Sequence, residues 1–157
     1  KSLNKNTSLP VISAGGVGDY PSLSEMLSLG IAGVSVGTIF IASDEAGVSQ
    51  EYKQACVDYT SKDIVMTTKL SGSRCSVINT PYLQKIGTEQ NWLERILNKN
   101  KKLKKWFKAF TFYRGMKKLQ TAAFGATYKT IWCAGPTVDY IHSIRPVKEI
   151  VKSLVNE

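Results

Sequence analysis

The residues with chemistry to offer are two small clusters, Ala14-Gly15-Gly16 and Gly37-Thr38, each closing a short apolar run. A phosphate dianion is held by backbone N–H groups that approach it with no side chain between, and glycine is the residue that permits that approach. The same glycines also suit ordinary tight turns. Their separation of about one βα unit favours an anion site, because two successive strand ends then face the same ligand. Gly15-Gly16-Val17-Gly18 does not follow the G-x-G-x-x-G register of dinucleotide-binding folds, and no Gly-Lys-Ser/Thr closes it as a Walker loop. Other chemistries find little support. Cys56, Cys75 and Cys133 match neither a disulfide framework nor a zinc spacing and read as buried free thiols; no metal site is expected, and His142 is the only histidine.

The elements that must position the glycines follow from the apolar pattern. Val11 and Ile12, after Pro10, predict a strand buried on both faces that stops at Gly15-Gly16. Pro21 and Ser22 suit a helix start, and Leu23, Met26 and Leu27 recur at helical spacing before Gly30 stops them. Ile31 to Val36 predicts a second strand ending at Gly37-Thr38. Strand, helix and strand this close form a right-handed βαβ unit with parallel strands, Val11 and Val34 lying side by side. In a (β/α)8 barrel the loops after the last two strands build the common phosphate site, with a short helix aimed at the anion.

The chain has 157 residues, 43% of them hydrophobic, enough for one core. It shows no apolar run of membrane-spanning length and no signal peptide, so a cytoplasmic location is expected. The net charge of +9 is local. Arg95, Lys99, Lys101, Lys102, Lys104, Lys105, Lys108, Arg114, Lys117 and Lys118 hold the excess, while the other basic residues roughly balance the acidic ones. Trp92, Leu93, Ile96, Leu97, Leu103, Trp106, Phe107 and Phe110 recur among them at three- and four-residue intervals, which predicts one or two amphipathic helices over Trp92 to Lys118. A solvated helix surface accounts for these lysines. Docking of an anionic membrane or an acidic partner is the weaker reading, and nucleic-acid binding the weakest, since no base-reading motif accompanies the charge.

With these residues in view, "LPVISAGGVGD" and "MLSLGIAGVSVGTIFIASDEA" resemble the last two strands of FMN-dependent barrels. "EYKQA", "KLSGSRCSVINTPYL" and "WCAGPTVDYIHSIRPVKEIVKSLV" narrow the resemblance to the nitronate monooxygenase family, formerly 2-nitropropane dioxygenases. It covers Leu9 to about Tyr82 and Thr130 to Glu157. The fold class it implies is α/β, the C-terminal part of a (β/α)8 TIM barrel containing the last two βα units, with an appended helical segment. Carried over by position, the resemblance puts FMN phosphate contacts on Ala14, Gly15, Gly16, Gly37 and Thr38. Leu70-Ser71-Gly72-Ser73-Arg74 matches a segment expected to cross over after a strand at Ile64 to Thr68, and Arg74 faces either an anionic ligand or a carboxylate. Gly135 stands where the family's backbone nears flavin and substrate, although Pro136 replaces the usual Gln.

The family's catalytic histidine belongs to a glycine-rich segment upstream of the first strand here, so no catalytic residue is assigned to this chain; His142 matches no family role. The organisation expected is barrel βα units over 1–82, a basic helical insert over 83–129, and a segment returning to the barrel over 130–157. The activity implied for the complete barrel is FMN-dependent oxidative denitrification of alkyl nitronates with O2. Two alternatives stand beside it: a flavin-dependent enoyl-acyl-carrier-protein reductase, and a non-enzymatic binding module using the basic segment. The expected partners are a small-molecule substrate, nitronate or enoyl thioester, and the N-terminal part of the barrel. Neither nucleic acid nor membrane is expected as a partner. The chain alone is expected to bind FMN poorly and to be inactive.

Overall fold

A computed structural model describes residues 7–70, 73–89, 113 and 131–155. The chain divides into two units, one of Lys1–Ala46, Lys53–Ser61 and Gly135–Glu157 and one of Gly47–Tyr52 and Lys62–Ala134.

The first unit is built on strand β1 (Ile12–Ala14), helix α1 (Tyr20–Ser28) and strand β2 (Gly33–Ser35). The strands pair in parallel, with Ile12 opposite Gly33, Ser13 opposite Val34 and Ala14 opposite Ser35. The expected βαβ unit is therefore present, its second strand shorter than the apolar run Ile31 to Val36. Helix α1 starts one residue before Pro21, because Asp19 caps it. The Asp19 carboxylate accepts from the Ser22 N–H at 2.9 Å, and Ser22 Oγ accepts from the Asp19 and Gly18 N–H groups at 3.2 and 3.1 Å. This reciprocal capping box uses donors that a helix start leaves unpaired. Gly30 ends the element at φ +81°.

After β2 the chain makes a single 3-10 turn, Thr38–Phe40, which lies against a second 3-10 turn, Pro136–Tyr140. Helix α2 (Gln50–Asp58) brings Ala55 and Cys56 to the buried set of this unit. The last described helix spans Val147–Val155 and packs beside α1. Val147, Ile150, Val151 and Leu154 give it an apolar stripe at helical spacing, and Ile150 and Leu154 are buried. Its first N–H, on Val147, donates to both oxygens of Glu45 at 3.1 and 2.9 Å. Ile12 is 66% exposed on β1, whereas parallel strands are ordinarily covered on both faces.

The second unit is antiparallel. Strand β3 (Ile64–Thr67) pairs with β4 (Cys75–Ile78), Ile64 opposite Ile78 and Thr67 opposite Cys75. The expected crossover after Ile64 to Thr68 is thus corrected: the strand ends at Thr67, and an antiparallel partner returns beside it. Strand pairing with Cys75 to Ile78 satisfies the β3 backbone within eight residues, which a crossover would not. Cys133 bridges Val77 on the outer edge of β4, and Leu70, Val77, Leu83 and Ile131 form the buried cluster. Helix α3 (Pro81–Ile86) is capped by Thr80 Oγ1, which accepts from Leu83 N–H at 3.3 Å. The amphipathic helices expected over Trp92 to Lys118 lie outside the described residues, Tyr113 excepted.

A packing prediction follows from Gly18. A Cβ placed there would lie 2.2 Å from Tyr140 Cδ2 and 2.9 Å from Tyr140 Cβ, too near the root of the side chain for a rotamer change to relieve it. Gly18→Ala is expected to destabilise the protein by about 1–3 kcal/mol through overpacking. Urea denaturation should show most of that penalty vanish in a Tyr140→Ala background.

Candidate functional site

The parallel register of β1 and β2 sends both following loops out at one end of the pair. Ala14, the last residue of β1, sits opposite Ser35 and is exposed. Gly15 and Gly16 follow at φ +83° and +79°, a left-handed turn that a side chain would strain, and Gly37 and Thr38 follow Ser35 on the neighbouring strand. The five expected phosphate contacts therefore occupy adjacent strand ends of one unit.

The backbone donors divide. Gly15 N–H donates to the Ser35 carbonyl at 3.3 Å, closing the pair, so the sheet itself uses that donor. Among the described residues no protein acceptor meets the N–H groups of Gly16, Gly37 or Thr38. A Cβ at Gly37 would have nothing within 4 Å, and one at Gly16 would have only Met26 Cε at 4.0 Å. Gly37 has φ −130°, outside the left-handed region, and among the described residues no neighbour crowds its Cβ position. Open space beside unused donors is what an external anion requires. The expected helix dipole is absent, since the three-residue Thr38–Phe40 turn is too short to accumulate one.

A third segment joins these loops. Gly135 N–H donates to Thr38 Oγ1 at 3.0 Å, and a Cβ at Gly135 would stand 3.2 Å from that oxygen. Gly135-Pro136 carried a sequence signal through the family motif, but Thr38 as its partner did not, because the two are 97 residues apart. His142 is exposed in this unit.

In the second unit Arg74 is exposed. Tyr52 and Trp132 stack with ring centroids 5.7 Å apart and planes 9° from parallel, while the Tyr52 hydroxyl donates to the Cys133 carbonyl. Periodicity gave no hint of that pair. Trp132 Nε1 is buried without a partner among the described residues. The Cys75 thiol donates to the Thr67 carbonyl at 3.6 Å. Burial first, and then the neighbouring Cys75, pushes Cys133 up to about 11.

All three cysteines are free thiols; Cys56 is buried as expected, whereas Cys75 and Cys133 are half-buried, which corrects the expectation for those two. Burial pushes its pKa up to about 12, against an ordinary thiol value of about 8.5. The folded state favours the neutral thiol, so its stabilising contribution is complete below the ordinary value and is lost as pH rises through about 12. Urea midpoints should accordingly fall across the alkaline range less steeply in Cys56→Ala than in the parent protein, and iodoacetamide at pH 8 should label Cys56 only after unfolding. Equal slopes, or labelling of the native protein, would contradict the burial account.

Comparison with known proteins adds three likenesses and one family match. A family model described as nitronate monooxygenase matches residues 1–157. A probable nitronate monooxygenase of Staphylococcus saprophyticus is 37% identical over 78 residues, 50% of this chain and 22% of that protein. FabK from Thermotoga maritima superposes with a TM-score of 0.73 at 24% identity, over 98% of this chain and 45% of that one. Nitroalkane oxidase from Streptomyces ansochromogenes gives 0.70 at 18% identity, over 97% and 40%. The chain thus spans about a fifth of the curated relative's length and under half of either solved structure. The shared fold is α/β, that of the C-terminal part of a (β/α)8 barrel.

Proposed function

The chain belongs to the nitronate monooxygenase family, and from that premise we propose that it forms the flavin-phosphate end of an FMN-dependent oxidoreductase acting on alkyl nitronates with O2. The observation that carries the reading is the set of three N–H groups, on Gly16, Gly37 and Thr38, that have no acceptor among the described residues, with open space at the Cβ position of Gly37. A terminal phosphate suits that set, because each donor makes a charge-assisted bond and the glycines let two loops close on one dianion. Gly15 contributes by holding the first loop to β2, and Ala14 by ending its strand beside Ser35.

In this reading the chain binds and orients, and the proton-transfer base comes from elsewhere in the barrel. Where FMN is bound it would supply the reversible electron uptake. Exposed Ile12 and the two-stranded parallel sheet support completion of the barrel by further strands, on the same polypeptide or another. No described helix is long and apolar enough to cross a membrane. The substrate proposed is a small molecule, and a cytoplasmic setting is proposed with it.

The test uses the full-length protein that carries this chain. Purified protein is expected to retain FMN and to consume O2 with ethyl nitronate. Turnover of an enoyl thioester with a nicotinamide cofactor, and none with nitronate, would replace this reading with the reductase. Gly37→Val addresses the loops directly, since among the described residues a Cβ there would meet nothing within 4 Å. The variant should fold normally yet bind FMN about a hundredfold or more weakly, given roughly 1.5–3 kcal/mol for each of two displaced charge-assisted bonds. A folded variant with parental FMN affinity by flavin fluorescence would show that these loops are ordinary turns.

A further inference from the structure

Thr38 holds more than its place in a turn. Its Oγ1 accepts the Gly135 N–H at 3.0 Å, which uses one lone pair, while among the described residues neither its hydroxyl proton nor its own N–H has an acceptor. Pro136 has no N–H, so Gly135 offers the last backbone donor before the Pro136–Tyr140 turn, and that donor goes to Thr38. The turn it precedes is anchored: Thr137 and Val138 are buried, and Tyr140 lies against Gly18, two residues beyond Gly16. Segment 135–140 thereby touches both loops, segment 37–38 through the Thr38 hydroxyl and segment 15–18 through Tyr140.

We infer that Thr38 is a positioning residue whose hydroxyl couples anion binding at the glycine loops to the placement of Gly135; this rests on the phosphate reading above. An anion that accepts the Thr38 O–H increases the negative charge on Oγ1, and the Gly135 N–H then bonds to a stronger acceptor. Occupancy of the loops tightens the Gly135 contact, and the reverse holds by linkage. A Cβ added at Gly135 would come within 3.2 Å of Oγ1, so glycine is the residue that permits this close approach. The segment that senses the anion is the one that the family resemblance brings near flavin and substrate, so phosphate recognition and the far loop form one arrangement.

The experiment measures hydrogen exchange at the Gly135 amide in the full-length protein, alone and with FMN or inorganic phosphate, together with FMN affinity, for the parent, Thr38→Ser and Thr38→Val. In the parent, FMN should slow Gly135 exchange about tenfold or more. Serine keeps the hydroxyl and should preserve that response. Valine keeps the shape and loses the hydroxyl; it should raise Gly135 exchange in the free protein, abolish the ligand response, and weaken FMN binding about tenfold. An unchanged Gly135 response in Thr38→Val, with FMN still bound, would overturn the coupling and leave the phosphate reading standing. A parent protein that binds neither FMN nor phosphate would overturn both. The parent measurement needs no variant to fold: FMN binding without any change at Gly135 is sufficient to reject the coupling.

Discussion

The parallel pairing of Ile12, Ser13 and Ala14 with Gly33, Val34 and Ser35 is the constraint on which the candidate site depends. Parallel strands end at the same edge, so their two following loops emerge together, which an antiparallel pair of the same length would prevent. The pairing also decides which donors remain. Gly15 closes the ladder against Ser35, and its N–H is consumed there. Gly16 lies one residue further along and escapes that demand. The capping box then takes the Gly18 N–H, leaving Gly16 as the donor of the first loop that faces open space.

The same accounting explains why glycine appears at positions with different physical demands. Gly15 and Gly16 turn through the left-handed region, whereas Gly18 is flat against Tyr140 and Gly135 is flat against Thr38. Among the described residues Gly37 meets none of these conditions. Backbone geometry and side-chain packing thus select one residue type for unrelated reasons.

The second unit follows a different logic. Its strands run antiparallel around Leu70, Val77, Leu83 and Ile131, and Cys133 extends the ladder at β4. Burial raises the pKa of the Cys75 and Cys133 thiols and so disfavours the reactive thiolate. The Tyr52–Trp132 stack adds aromatic area to the unit, and the Tyr52 hydroxyl satisfies a carbonyl that the ladder leaves over.

Local sequence determined the βαβ unit, since apolar runs ending in glycine and a helical stripe between them specify strand, helix and strand without reference to distant residues. It also located the strand ends where Ala14, Gly15, Gly16, Gly37 and Thr38 would stand, and the family motifs beyond them. Helix α1 began a residue early because Asp19 is a stronger cap than the Pro21-Ser22 signal suggested. What tertiary structure alone decided was the use of each polar group: Gly15 N–H to Ser35, Gly135 N–H to Thr38, and an antiparallel return at Cys75 in place of a crossover. A pattern read along the chain records which residues prefer a strand or a turn, but a hydrogen bond between positions 97 residues apart leaves no periodic trace. Whether a donor is spent or available depends on which carbonyl or hydroxyl the fold brings beside it, and that is fixed only when the segments meet.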